Sequence, residues 1–213
     1  SNTALDLPQA SNGLMPSREW KKTYRKLPWF PGETLSVGIG QGYWLSTPLQ
    51  IATSMAVLAN RGKWVQPRIV ESVDNESVHQ SPENVPENIK VSDDNYWDQV
   101  INAMVAVVHS KEGTARKLSH GIRYTMVGKT GTAQVKGIKQ NEKYDETKLA
   151  ERHRDHSLFA GFAPLENPQI ALAVVVENAG SGSATAAPIA RMIFDAYLTP
   201  ERLAQGKEQG AEQ

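Results

Sequence analysis

The chain has 213 residues, with 23 Lys and Arg against 23 Asp and Glu, and no Cys. Balanced charge removes the electrostatic case for a polyanionic partner, so nucleic acid is not expected. The lack of cysteine removes disulfides and thiolate metal sites. Apolar residues make up 39% of the chain, enough for the core of one domain. No apolar run approaches the roughly 20 residues that span a bilayer; the longest is Ile170 to Val176.

Residues 1–15 show neither the basic start nor the apolar centre of a signal peptide. Ser1-Asn2 reads as a remnant of cloning, so the chain is expected to be an excised segment of a longer protein. Residues 1–35, rich in Pro, Trp and polar side chains, read mostly as loop. Gly38-Ile39-Gly40-Gln41-Gly42 reads as a turn. A dinucleotide fingerprint has a different glycine spacing and follows a strand.

Thr47-Pro48-Leu49-Gln50 opens a helix. Thr47 is the N-cap, Pro48 takes the first helical position, and Gln50 completes a capping box. Leu49, Ala52, Met55, Ala56 and Ala59 form its apolar face, and Asn60 and Gly62 stop it. Residues 64–70 read as a short strand or an extended segment. Residues 71–93, acidic and without a period, read as a surface loop. A second helix is expected from Asn95 to Lys111, with Trp97, Val100, Ile101, Met104 and Val108 inward. A short helix from Gly113 to Leu118 follows.

Three strands are expected next: Tyr124 to Val135, Ser157 to Ala163, and Gln169 to Glu177. The tight link Pro164 to Pro168 makes the last two a hairpin. Ala184 to Leu198 reads as a closing helix with Ile189, Met192, Ile193 and Tyr197 inward. Residues 201–213 are polar and expected to be a disordered tail beyond a domain of residues 1–200. Between the first two strands lies a charged segment, Lys136 to His156. A loop of about 20 residues inside a compact domain is unusual and often functional. His153 and His156 in it have ligand-like closeness, but no third ligand is evident, and a solvated loop is the expected reading. His109 and His120 read as helix-end and surface residues. No metal or cofactor is expected.

The chemistry centres on Lys129-Thr130-Gly131-Thr132. The rival reading of Gly128-Lys129-Thr130 is a phosphate-binding loop, which needs a glycine, four residues, then Gly-Lys-Thr at the mouth of a helix. Here six residues separate Gly121 from Gly128, and the residues after Lys129 favour extended structure. A cation at the head of a β-branched, Gly-containing strand instead resembles the Lys-Thr-Gly element of active-site serine acyltransferases. A plain surface strand with an exposed Lys is the bland alternative.

Together with Gly40-Gln41-Gly42, Thr47-Pro48-Leu49-Gln50, Gly113-Thr114-Ala115 and Asp155 to Pro164, this strand resembles the transpeptidase domain of class B penicillin-binding proteins. Met15 to Lys21 and Asp155-His156 are most similar to its elongation-specific members. The resemblance runs from about residue 4 to residue 198. It implies an α+β fold, an antiparallel sheet flanked by helices, of which about three of the five core strands are present here and one sheet edge is left open.

The resemblance further implies a peptidoglycan D,D-transpeptidase acting through a serine acyl-enzyme. Lys129 would place positive charge beside the nucleophile. The Thr132 N–H would be one of two oxyanion donors. Thr130 and Thr132 hydroxyls would bind the substrate carboxylate, and Gly131 would let the substrate backbone approach. Ser-x-x-Lys occurs nowhere in the 213 residues, so the nucleophile is expected upstream and the isolated chain is expected to be inactive. Thr114-Ala115-Arg116-Lys117 has the spacing but is assigned no nucleophilic role. Glu177-Asn178 is placed at the border of the site. The implied partners are stem peptides, β-lactams and membrane proteins of the elongation machinery, with edge-paired self-association of the fragment. The implied location is the periplasmic face of the bacterial inner membrane, through an upstream anchor. A serine β-lactamase or D,D-carboxypeptidase relative, and a non-catalytic binding module, are the alternatives.

Overall fold

Pro- and aromatic-rich residues near the N-terminus form more helix than their composition suggests. The computed structural model describes residues 11–74, 76–77, 86–135 and 149–199. They fall into two units, one within 1–50 and 66–85, the other within 51–65 and 86–213. The tail expected over 201–213 and most of the 136–156 loop lie outside the described residues.

In the first unit, the Ser17 hydroxyl accepts from the Trp20 N–H at 3.0 Å and caps α1, Arg18–Trp20, which continues as a π-helical turn over Lys21–Arg25. Helix α2, Pro31–Gly38, starts on proline, and its Glu33 carboxylate accepts from the Phe30 N–H at 2.8 Å. The region read mostly as loop is therefore partly helical. An ion pair explains why: the buried Lys21 ammonium pairs with Glu33 and lies 4.2 Å from the Phe30 ring centre. A buried ammonium persists only when so compensated. The hydrogen bond from Lys21, then that from Phe30, hold the Glu33 carboxyl below its usual value. Apolar periodicity carries no trace of such a pair. Gly40 and Gly42, both at φ 75°, form the turn expected there.

Helix α3, Pro48–Ala59, begins with the reciprocal cap read from sequence. Thr47 N–H donates to Gln50 Oε1 at 3.0 Å, and Gln50 N–H to Thr47 Oγ1 at 3.1 Å. Its buried residue is Val57, which the expected apolar face omitted. Residues 64–70 form no strand. Pro67 has no N–H for a ladder, and the Trp64 N–H is taken by Asn88 Oδ1 at 2.9 Å. A two-rung ribbon, β1 Ser72–Val73 with β2 Glu76–Ser77, lies instead in the stretch read as loop.

The second unit holds the sheet. Helix α4, Asn95–His109, buries Ile101, Met104 and Val108, as expected, while Val100 faces outward. The chain then folds back on the helix end: the Ala115 N–H donates to Val107 O at 2.9 Å, and a Cβ on Gly113 would lie 2.3 Å from that oxygen. A 3₁₀ turn over Arg116–Ser119 leads to β3, Val127–Ala133. Strands β4, His156–Ala163, and β5, Ile170–Val176, complete an antiparallel sheet in the order β3-β4-β5. The expected hairpin and the three expected strands are present. No further strand pairs with the outer edges of β3 or β5 among the described residues.

Side chains alternate across a strand, so the two faces carry separate clusters. Phe159, Ala163 and Leu172 pack with Val108, Leu118, Met126 and helix α5, Ala186–Leu198. Val127 and Phe162 pack with Ile101 and Met104, flanked by Met55, Leu58 and Ala59. Helix α5 presents a different side from the one expected. Ala186, Ala187, Ala190 and Phe194 are buried, whereas Ile189, Met192, Ile193 and Tyr197 are exposed. The Ser157 hydroxyl accepts from the Ala186 N–H at 2.9 Å and donates to Ser181 O at 2.9 Å, which sets the rotation of the helix start. Three alanines then let the helix lie close to the strands. On a helix apolar on two sides, hydrophobicity alone does not choose the inner one.

This packing makes a direct test. Phe194→Ala should destabilise the chain by about 3–5 kcal/mol, and Met192→Ala by no more than about 0.5 kcal/mol, in denaturant melts. The inward reading of Met192 requires the opposite order.

Candidate active site

Among the described residues strand β3 is a sheet margin, and it carries Lys129, Thr130, Gly131 and Thr132, whereas Glu177 and Asn178 follow the end of β5. Its register against β4 is continuous: Gly128↔Gly161, Lys129↔Ala160, Thr130↔Phe159, Gly131↔Leu158 and Thr132↔Ser157. Extended backbone at Gly128-Lys129-Thr130 excludes the phosphate-loop reading, which needs these residues curled at a helix mouth. Gly128 has a packing reason instead: a Cβ there would lie 2.2 Å from the Phe159 ring.

Alternation puts Lys129 and Gly131 on the face shared with Val127 and Phe162, and Thr130 and Thr132 on the face shared with Phe159. The Lys129 side chain is exposed. Its ammonium donates to the Thr130 carbonyl at 2.6 Å, and no carboxylate pairs with it among the described residues. A carbonyl that accepts from this ammonium points away from β4. In an antiparallel ladder alternate residues turn their backbone groups outward together, so Thr132, two residues on, directs its N–H to the same open margin. Lys129 and Thr132 are thus brought to one edge although their side chains leave by opposite faces.

The Thr130 hydroxyl is already engaged. Its Oγ1 lies 3.0 Å from Thr114 Oγ1. That bond ties the Gly113-Thr114-Ala115 turn to the Lys-Thr-Gly strand, a link that no spacing between residues 114 and 130 could announce. The Gly-Thr-Ala block itself was the available signal. A hydroxyl donates once and accepts twice, so Thr130 keeps capacity for a ligand. Thr132 is exposed and Gly131 half-buried.

The root of β3 is clamped. The Met126 N–H donates to His109 Nε2 at 3.1 Å, so His109 is a helix-end residue with a task. Thr125 donates to Glu166 at 2.8 Å. The Glu166 backbone N–H, then Thr125, hold its carboxyl below the usual value. Arg191 of α5 forks onto the carbonyls of Leu118, His120 and Gly121 and pairs with Asp195 at 2.8 Å. Asp195 accepts from the Tyr124 hydroxyl at 2.9 Å; burial first, and that carboxylate second, push the phenol well above its ordinary value.

At the other end, His156 Nδ1 accepts from the Asn178 N–H at 2.9 Å, and Asn178 Nδ2 donates to Arg154 O at 2.9 Å. Asn178 therefore secures the start of β4. His153 accepts from Arg152 at 3.4 Å. Among the described residues no three His, Asp or Glu side chains gather as a metal site.

Residues 1–195 match the family model of the penicillin-binding protein transpeptidase domain. The chain belongs to the penicillin-binding protein transpeptidase family. It is 42% identical over 195 residues to the peptidoglycan D,D-transpeptidase MrdA of Escherichia coli K12, covering 91% of this chain and 30% of that protein. The Acinetobacter baumannii MrdA is 44% identical over 202 residues, covering 92% and 29%. The chain thus spans about a third of the length of these curated relatives. Among solved structures, Pseudomonas aeruginosa PBP2 in complex with WCK 5153 superposes with a TM-score of 0.80 at 44% identity, over 91% of this chain and 40% of that one. Helicobacter pylori PBP2 in its complex with MreC gives 0.74 at 28% identity, over 92% and 33%. The family's fold and the resemblance to its PBP2 members are therefore those expected from the motifs.

The strand geometry yields a prediction within this family member. Gly128→Ala should overpack the Phe159 ring and cost about 1–3 kcal/mol in a denaturant melt. Adding Phe159→Leu should recover part of that loss. Independent, additive losses would contradict the contact.

Proposed function

We propose that these residues form the Lys-Thr-Gly side of a serine D,D-transpeptidase site that cross-links peptidoglycan stem peptides during cell-wall elongation. What carries the proposal is the Lys129 ammonium, which has no carboxylate partner among the described residues, on a strand margin that no further described strand covers, with the Thr132 N–H turned to the same margin. The nucleophilic serine and its lysine come from residues outside this chain. In the reaction that serine attacks the carbonyl of the terminal D-Ala-D-Ala bond, and D-Ala leaves. An amine of a neighbouring stem peptide then attacks the acyl-enzyme and releases the serine.

Each group has a role that matches its position. Lys129 supplies positive charge that favours proton transfer from the nucleophile and attracts the substrate carboxylate. The Thr132 N–H stabilises the developing oxyanion, where one such donor is typically worth roughly 3 kcal/mol. The hydroxyls of Thr130 and Thr132 bind the carboxylate, and Gly131 allows a peptide backbone to lie along the strand. β-Lactams are taken as alternative acyl donors at the same site. By likeness to relatives solved with MreC and within a peptidoglycan synthase complex, the partners are other proteins of the cell-wall machinery. The reaction then takes place on the periplasmic face of the inner membrane.

A fluorescent penicillin tests this. The full-length gene product should label, Lys129→Ala should slow labelling by about 100-fold or more, and the isolated 213-residue chain should not label. Covalent labelling of the isolated chain, or an undiminished rate in Lys129→Ala, would contradict the assignment.

A further inference from the structure

Gly182 lies in the connection between β5 and α5, buried against the sheet. A Cβ there would fall 2.3 Å from Leu158 O, 2.4 Å from Gly131 O and 3.0 Å from Gly131 N. Leu158 and Gly131 face one another in the β3–β4 ladder, so the connection rests directly on the backbone of the Lys-Thr-Gly strand. All three atoms are main chain, and no rotamer change can make room. Gly182 has no positive φ, so the need is for space and not for an unusual backbone angle.

The connection cannot lift freely. Ser181 O accepts from the Ser157 hydroxyl at 2.9 Å, and the Gly180 N–H donates to Asp155 O at 2.8 Å. Thr185 Oγ1 donates to Ala179 O at 3.1 Å, and Gly182 O accepts from the Ala187 N–H at 2.9 Å. On the opposing side β3 is clamped at its root by His109 but has no strand partner on its outer edge among the described residues. Pressure applied at Gly131 therefore moves the far half of β3.

We infer that Gly182 is a positioning residue for the reaction: through Gly131 it sets the height of β3, and with it the Thr132 N–H and the Lys129 ammonium. The inference rests on the transpeptidase reading of that strand. A side chain at 182 displaces the strand tip. Misplacement on the order of 1 Å can cost about 100-fold in rate, and a shift of a few tenths of an ångström costs correspondingly less.

The test follows acylation of the full-length gene product by a fluorescent penicillin under single-turnover conditions, separating the rate constant from the labelled fraction. Gly182→Ala should lower the rate constant by about 10- to 100-fold. Ser157→Ala releases the anchor of Ser181, so Gly182→Ala combined with Ser157→Ala should acylate faster than Gly182→Ala alone, a non-additive pair. A normal rate constant with a reduced labelled fraction would mean Gly182 serves folding only and would overturn the inference. A double variant no faster than the single one would also overturn it. Failure of the unsubstituted protein to label would overturn the transpeptidase reading itself, a separate outcome.

Discussion

Backbone-to-backbone closeness across the β3–β4 ladder is the constraint on which the site depends. A Cβ on Gly128 would strike the Phe159 ring, one on Gly161 would lie 2.2 Å from Val127 O, and one on Gly182 would strike the carbonyls of Leu158 and Gly131. Glycine at these positions lets a ring, a neighbouring strand and a loop pack within van der Waals contact of one short strand. Protein interiors tolerate neither voids nor overlap, so that strand has little freedom where it meets β4. Its outer margin, by contrast, is left with backbone groups to offer.

That combination suits the proposed chemistry. A donor for a developing oxyanion helps only when it is already aimed and cannot relax, and a strand held from one side provides such a donor on the other. The His109–Met126 and Thr125–Glu166 bonds fix the root of the strand, and Arg191 with Asp195 fixes the approach to it. These polar contacts come from α4, the β4–β5 turn and α5. Three elements of the second unit therefore bear on the root of β3 and the approach to it.

Local signals are legible in the sequence where the physics is local. The Thr47–Gln50 cap, the buried stripe Ile101, Met104 and Val108, and the Pro-bounded β4–β5 hairpin all follow from short-range geometry. The extended run from Lys129 to Thr132 was legible as strand because the four residues are contiguous. What was not legible depends on distant partners. The Lys21–Glu33 pair turned an apparent loop into helix, and Ser157 decided which side of α5 faces inward. Thr114 and Gly182 reach the candidate site from 16 and 51 positions away from Thr130 and Gly131 respectively, through a hydroxyl bond and a steric contact. Neither leaves a pattern along the chain. Family blocks could mark Gly113-Thr114-Ala115 as notable but not say what it touches.

The central claim is that the outward amide of Thr132 on an edge strand receives the reacting oxygen. Its most direct test is a crystal structure of the full-length gene product acylated by a penicillin. The account predicts the acyl carbonyl oxygen about 3 Å from the Thr132 nitrogen, with β3 still paired to β4 in the register Gly131↔Leu158. An acyl group whose carbonyl oxygen is held by other amides, with Thr132 turned inward or out of reach, would contradict it.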